Sequence, residues 1–218
     1  MALFKTHHYP DFWKAYEKTF SEKRPASIEE TRFVVFDTET TGLDPSKDKL
    51  LSIGAVVLHH QKIVVADSFE VFLEQEKFNR ETVAVHGILK KGTVLKIPET
   101  EAIALFLNYL GNAVLVAHHA AFDVEMINRA LRLMKLPKLK NRCIDTSMVY
   151  QMLLGKSQKP VSLDTLCKEF TIPMHDRHNA LGDAVLTARL FYKLLSKLQN
   201  ERKVQLQDLY ISSLSRGW

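Results

Sequence analysis

Four large apolar residues, Phe33 to Phe36, run directly into the polar stretch Asp37-Thr38-Glu39-Thr40-Thr41-Gly42. An unbroken apolar run of that length predicts a strand buried on both faces, here over 32–37. Two further strand patterns follow at 49–58 (KLLSIGAVVL) and 62–73 (KIVVADSFEVFL). Only a short His-rich connection separates them, which predicts an antiparallel hairpin. Downstream the period changes. Pro98 opens a helix through Tyr109, AVLVAHH (113–119) is a fourth buried strand, and a helix spans 121–134. RCIDT (142–146) is a short fifth strand, and three helices follow over 146–153, 162–169 and 180–198. A hairpin followed by strand–helix alternation predicts a mixed five-stranded α/β sheet flanked by helices. Ahead of it, Phe12, Trp13, Tyr16 and Phe20 recur at helical spacing within 10–22, and SEKRPAS then breaks the pattern. These shifts divide the chain into an N-terminal helical extension (1–30), a main domain (31–198) and a C-terminal tail (199–218).

Composition narrows the classes without choosing among them. The chain has 218 residues, 46% hydrophobic and 25% charged, a soluble globular balance sufficient for a real core. No apolar run approaches the roughly 18 residues that cross a bilayer, and the first twenty residues are too polar for a secretory signal. With two cysteines, Cys143 and Cys167, no disulfide framework is implied, and the expected compartment is a reducing cytoplasm. A formal charge of +5 permits a polyanionic partner without requiring one. Lys135, Lys138, Lys140 and Arg142 read as a solvated charged loop, with a phosphate-backbone track as the alternative.

The charges at strand ends carry the chemistry. Side chains at i and i+2 of a strand share a face roughly 6 to 7 Å apart, so Asp37 and Glu39 repel unless something positive lies between them. Ligands of α/β sheets gather at the carboxyl ends of strands. The fourth strand leaves through HHAAFD, with Asp123 in the first turn of the next helix. The last long helix carries Asp183 one turn inside, with His178 just ahead of it. Ala180, Ala184 and Ala188 repeat every four residues there and let that helix lie close against the sheet. Four carboxylates from three distant segments are thus expected to converge, an arrangement that is costly unless cations resolve it. Oxygen-only donors select Mg²⁺ or Mn²⁺ over Zn²⁺, and several carboxylates around one pocket suit two ions. His178 is then the candidate base for a water nucleophile. Asp145 reads as the N-cap of the helix after it, and Asp164 as a first-turn residue complementing a helix dipole.

FDTETTG, VHGI (85–88), HHAAFD (118–123), SLDTLCKEF (162–170) and HNALGDA (178–184) stand in the order of the DnaQ-like DEDDh exonucleases, and the chain resembles that family over residues 31–197. It is particularly similar to the proofreading epsilon subunit of bacterial DNA polymerase III. The resemblance implies a ribonuclease H-like fold and release of nucleoside 5′-monophosphates from the 3′ ends of single-stranded or frayed DNA, in proofreading or repair. It implies Asp37, Glu39, Asp123 and Asp183 as ligands of two Mg²⁺ or Mn²⁺ ions and His178 as general base. Thr40, Gly42, Leu43, His86 and Phe122 match positions lining the terminal-nucleotide pocket of relatives. His119 stands where the epsilon subunit has Asn. An RNA-trimming exoribonuclease of the same fold and an inactive nucleic-acid-binding adaptor are the rival readings. A replicative polymerase subunit is the expected protein partner. QLQDLY (205–210) has a faint likeness to peptides that dock on a sliding clamp, and a plain amphipathic end is the preferred reading of it.

Overall fold

The computed structural model describes residues 8–76, 83–84, 86–89, 94–156 and 159–211. Val85 of the VHGI motif and the last residues of the tail lie outside that set. The chain forms α1 (Asp11–Thr19), β1 (Phe33–Thr40), β2 (Leu50–His59), β3 (Lys62–Leu73), β4 (Lys96–Ile97), α2 (Glu99–Leu110) and β5 (Val114–Ala117). It continues through α3 (Ala121–Leu133), β6 (Cys143–Asp145), α4 (Thr146–Leu154), α5 (Leu163–Glu169), α6 (Ala180–Glu201) and a 3-10 turn (Leu206–Leu209).

The sheet order is β4-β3-β2-β1-β5-β6. β2 pairs antiparallel with β1 and β3, while β5 and β6 run parallel to β1. The five expected strands are all present, but among the described residues the sheet has six. β4 is two residues long and pairs parallel with the end of β3; so short a strand has no alternation to read. The hairpin between β2 and β3 closes on His60 and Gln61, both at positive φ, which matches the twist of the strands it joins. A second difference bears on the site. β1 does not stop at Asp37 but continues to Thr40, with Asp37 opposite Gly54 and Glu39 opposite Ser52. The carboxylates are therefore held by ladder pairing rather than by a turn, and the register shifts only between Glu39 and Thr40.

β1 explains the two-layer core. Val34 and Phe36 face a cluster containing Trp13, Tyr16, Phe106, Ile127 and Leu131, so α1, α2 and α3 cover that side. Phe33 and Val35 face Val149, Leu166, Leu190, Phe191 and Leu194, from α4, α5 and α6. Trp13 and Tyr16 are fully buried, so the first helix is part of the same packed layer. The Tyr16 hydroxyl donates to Asn141 Oδ1 at 2.5 Å and accepts from the Lys140 N–H at 2.9 Å. Leu209 is buried in the second cluster, with Leu206 and Tyr210 packed beside it. The apolar side chains of QLQDLY thus serve this fold's own core.

The first turn of α6 lies very close to the sheet at Gly54. A Cβ there would lie 2.1 Å from the Leu181 nitrogen and 2.2 Å from the Ala180 carbonyl carbon. Both are backbone atoms of the first turn of α6, which cannot step aside as a side chain would. Glycine in a strand interior marks such close approaches. Replacing Gly54 with Ala should therefore push α6 off the sheet, costing about 1 to 3 kcal/mol or more in urea unfolding. An unchanged unfolding midpoint for Gly54→Ala would show that this contact is not tight.

Candidate active site

Asp37 and Glu39 project from β1 on the α6 side, and Asp183 in the first turn of α6 comes down onto them. Carboxylate oxygens from these three residues all lie within 4.8 Å of one another. Asp183 is 6% exposed, while Asp37 and Glu39 are partly buried. Asp123 arrives from the other layer, in the first turn of α3, and is 4% exposed. Its Oδ1 accepts from the Thr38 N–H at 3.0 Å and the Thr38 hydroxyl at 2.7 Å. Thr38 lies between Asp37 and Glu39 and points to the opposite face, so three successive residues of β1 address both layers.

Proton affinities record the crowding. Burial, then the charges of Asp183 and Asp123, raises Glu39 to about 7. Burial raises Asp123 to about 7 against the two Thr38 hydrogen bonds that lower it. Asp37 is also raised, by burial first and then by Asp123, Asp183 and Glu39. Arg177 acts in the opposite sense on Asp37 and Glu39. Its guanidinium pairs with Asp183 Oδ1, and its Nε donates to Asp164 Oδ1 at 2.6 Å. Asp164 is in the first turn of α5, as expected, and is in addition the second carboxylate on this arginine. The donor set, all carboxylate oxygen and short of positive charge, fits divalent Mg²⁺ or Mn²⁺.

His178 is exposed, adopts a left-handed φ of 62°, and donates its backbone N–H to Asp183 Oδ2 at 3.2 Å. It shares a cavity of about 710 Å³ with His86, Gly87, His175, Arg177 and Arg189. His86 Nδ1 accepts from the Ile88 N–H at 3.0 Å, which leaves the neutral ring's proton on Nε2. Among the described residues that buried Nε2 has no partner. Burial lowers the His86 pKa, favouring this neutral form.

Thr40 is the last residue of β1, and Gly42 and Leu43 lie in the loop that follows. The Thr40 hydroxyl donates to the Gly42 carbonyl at 2.7 Å. A Cβ on Gly42 would sit 2.5 Å from Asp48 Oδ2. Buried Asp48 itself accepts from the Thr41 hydroxyl and the Asp44 N–H, closing the loop. Leu43 is 86% exposed. Phe122 is partly buried, one residue ahead of Asp123.

Several residues make organising contacts beyond those expected from the sequence. Asp145 caps α4 through the Ser147 N–H, as expected, but also accepts from the His119 and Ala120 N–H groups at 3.1 Å each. It thereby fixes the β5–α3 loop that delivers Asp123. His118 donates Nε2–H to the Val161 carbonyl, and its Nδ1 is 2.7 Å from the Thr146 hydroxyl. Burial holds His118 neutral, with a pKa near 4. His119 has a left-handed φ of 59°, and its buried Nε2 has no partner among the described residues. The legible signal for Gly54 was a lone glycine inside an apolar strand; Arg177 and Thr38 had none.

A profile of the exonuclease family (RNase_T) matches residues 34–191, most of the chain, including Asp37, Glu39, Asp123 and Asp183. The chain belongs to the exonuclease family. Among similar proteins, the PolC-type DNA polymerase III of Halalkalibacterium halodurans is 34% identical over 193 residues, covering 86% of this chain and 13% of that protein. A DNA polymerase III subunit epsilon-like protein of Rhodobacter capsulatus is 35% identical over 176 residues, covering 79% of this chain and 25% of that protein. The chain therefore spans a small part of the length of these relatives. In fold it is similar to the nuclease domain of 3′hExo, a DEDDh family member solved with rAMP. That match has a TM-score of 0.67 and 14% identity over 78% of this chain and 94% of that one. The ribonuclease H-like α/β fold of these exonucleases is thus the fold of this chain. Among the described residues no helix is long and apolar enough to cross a membrane.

The raised proton affinities have a definite sign. Folded Glu39, near 7 against an ordinary 4.5, holds a proton that the unfolded chain releases. Its stabilising contribution is full below about 4.5 and is lost as pH rises through about 7. In EDTA, Glu39→Gln should therefore melt higher relative to wild type at pH 8 than at pH 5. An identical difference in melting temperature at both pH values would mean that Glu39 is not held in a field of like charge.

Proposed function

We propose that this exonuclease-family chain is a metal-dependent 3′→5′ exonuclease acting on single-stranded or frayed DNA ends and releasing nucleoside 5′-monophosphates. The observation that carries the reading is the cluster of Asp37, Glu39 and Asp183 oxygens, with Asp123 held beside it by Thr38. Those four residues would hold two Mg²⁺ or Mn²⁺ ions. Held there, such ions would supply Lewis-acid charge to phosphodiester hydrolysis and would ease ionisation of a water.

The chain's own residues do the rest. His178, exposed beside the cluster and on a left-handed backbone, takes the proton of the attacking water. His86 offers an Nε2–H donor to the terminal nucleotide in the cavity it shares with His178. Leu43 presents an apolar face to a terminal base, and Thr40, Gly42 and Phe122 shape the pocket around it. Arg177 serves as counter-charge to Asp183 until cations arrive. The polymerase III relatives support a role in proofreading alongside a replicative polymerase subunit.

Asp37→Ala should lower hydrolysis by roughly 10³-fold, the scale of a lost key electrostatic group. Near wild-type digestion of single-stranded DNA by that variant would overturn the assignment. Substrates blocked at one end test polarity: a 3′-blocked oligonucleotide should resist, and equal rates from 5′- and 3′-blocked strands would exclude 3′→5′ action.

His178→Ala separates the base from the ligands. Turnover should fall by about 10² to 10⁴-fold, while Mn²⁺ should raise the melting temperature of the variant and of wild type alike. Normal turnover in this variant would remove His178 from the mechanism.

A further inference from the structure

A second cavity, also of about 710 Å³, opens at the other end of the sheet. Leu115 and Cys143 in its wall stand at the amino ends of β5 and β6, whereas the carboxylates gather at the carboxyl ends of the strands. Five cations line it, Arg24, Arg132, Lys138, Lys140 and Arg142, and no carboxylate does among the described residues. Lys140 is paired with Glu17 at 2.7 Å and Arg132 with Glu125 at 3.0 Å. The two remaining arginines rest on aromatic rings. The Arg24 guanidinium lies 5.0 Å from the Phe20 centroid, and that of Arg142 lies 4.9 Å from the Tyr210 centroid. Neither forms an ion pair among the described residues. Stacking orients a guanidinium while leaving its N–H edges for a tetrahedral anion.

The cleft is built deliberately. Exposed Lys138, Lys140 and Arg142 alternate with inward-facing Leu139 and Asn141. That alternation puts the three charges together on the outer side of the loop, where successive anions of one polymer can meet them. Tyr16 clamps this loop through Asn141 and the Lys140 N–H, and the Ile211 N–H donates to the Cys143 carbonyl at 3.0 Å. Arg24 and Tyr210 come from segments outside residues 34–191, so two flanks of the family core meet here around Arg142.

We propose that this cleft is an accessory site for the phosphodiester backbone of the substrate strand, gripping phosphates several nucleotides from the end being cut. The proposal rests on the nuclease reading above. A strand engaged at both places is retained between cuts, because the second contact becomes intramolecular.

Binding of fluorescent oligothymidylates to the full chain in EDTA tests it, with a four-nucleotide and a twenty-nucleotide probe compared over a range of salt. For Arg24→Ala/Arg142→Ala, affinity for the longer probe should fall on the order of tenfold. The slope of log K against log salt should become shallower by about 1.4, two contacts at about 0.7 each for single strands. Binding of the short probe, its hydrolysis in Mg²⁺ and the melting temperature should stay as in wild type. The Arg24→Lys/Arg142→Lys pair should restore most of the long-probe affinity, and Arg142→Glu alone should lower it. An unchanged long-probe affinity, or an equal loss on both probes, overturns the proposal. So does selective loss of polyglutamate binding with the long probe unaffected, which would assign the cleft to an acidic peptide. Failure of wild type to hydrolyse the short probe would instead strike the nuclease reading, and the EDTA binding measurement is independent of that result.

Discussion

Like charges held together in a partly dry place set the terms for this structure. Asp37 and Glu39 share a face of β1 because strands repeat every two residues, and Asp183 and Asp123 are brought to them from helices on opposite layers. Left alone, such a group loses charge by taking up protons, which is the direction seen at Asp37, Glu39 and Asp123. Among the described residues the fold answers with Arg177, a partly buried cation shared between Asp183 and Asp164. One guanidinium cannot balance four carboxylates, so the cluster keeps an appetite for positive charge.

Close packing is what concentrates that charge. The first turn of α6 rests on Gly54 with no room for a Cβ, and Asp183 lies two residues beyond Leu181. On the other layer, Asp145 gathers three backbone N–H groups and thereby sets where α3 begins. Neither Gly54 nor Asp145 is a member of the cluster. Both determine how near its members come.

Much of this was legible in the sequence, for identifiable reasons. Long elements with strong periodicity, such as β1 to β3, α3 and α6, are dictated by which side chains must leave water. The two-residue β4 carries no such signal, and its pairing exists only because β3 offers an edge. The acidic residues could be picked out because charges abutting apolar runs are costly without a purpose. Arg177 could not, because an arginine in a polar loop looks solvated until its two carboxylate partners are placed beside it. Thr38 hides in the same way: a threonine between two acids reads as turn chemistry, and its grip on Asp123 depends on an element 85 residues away.

Thr38 also implies something about how the two halves of the molecule share information. Its side chain holds Asp123 on one layer, while its immediate neighbours meet α6 on the other. The sheet at this point is one residue thick, so a shift of α3 or of α6 reaches the same three positions of β1. Substitutions buried far apart, on opposite layers and with no contact between them, should converge on a common functional phenotype. The carboxylate cluster is in that sense a gauge of alignment between two cores, and its fine geometry is a property of the whole domain.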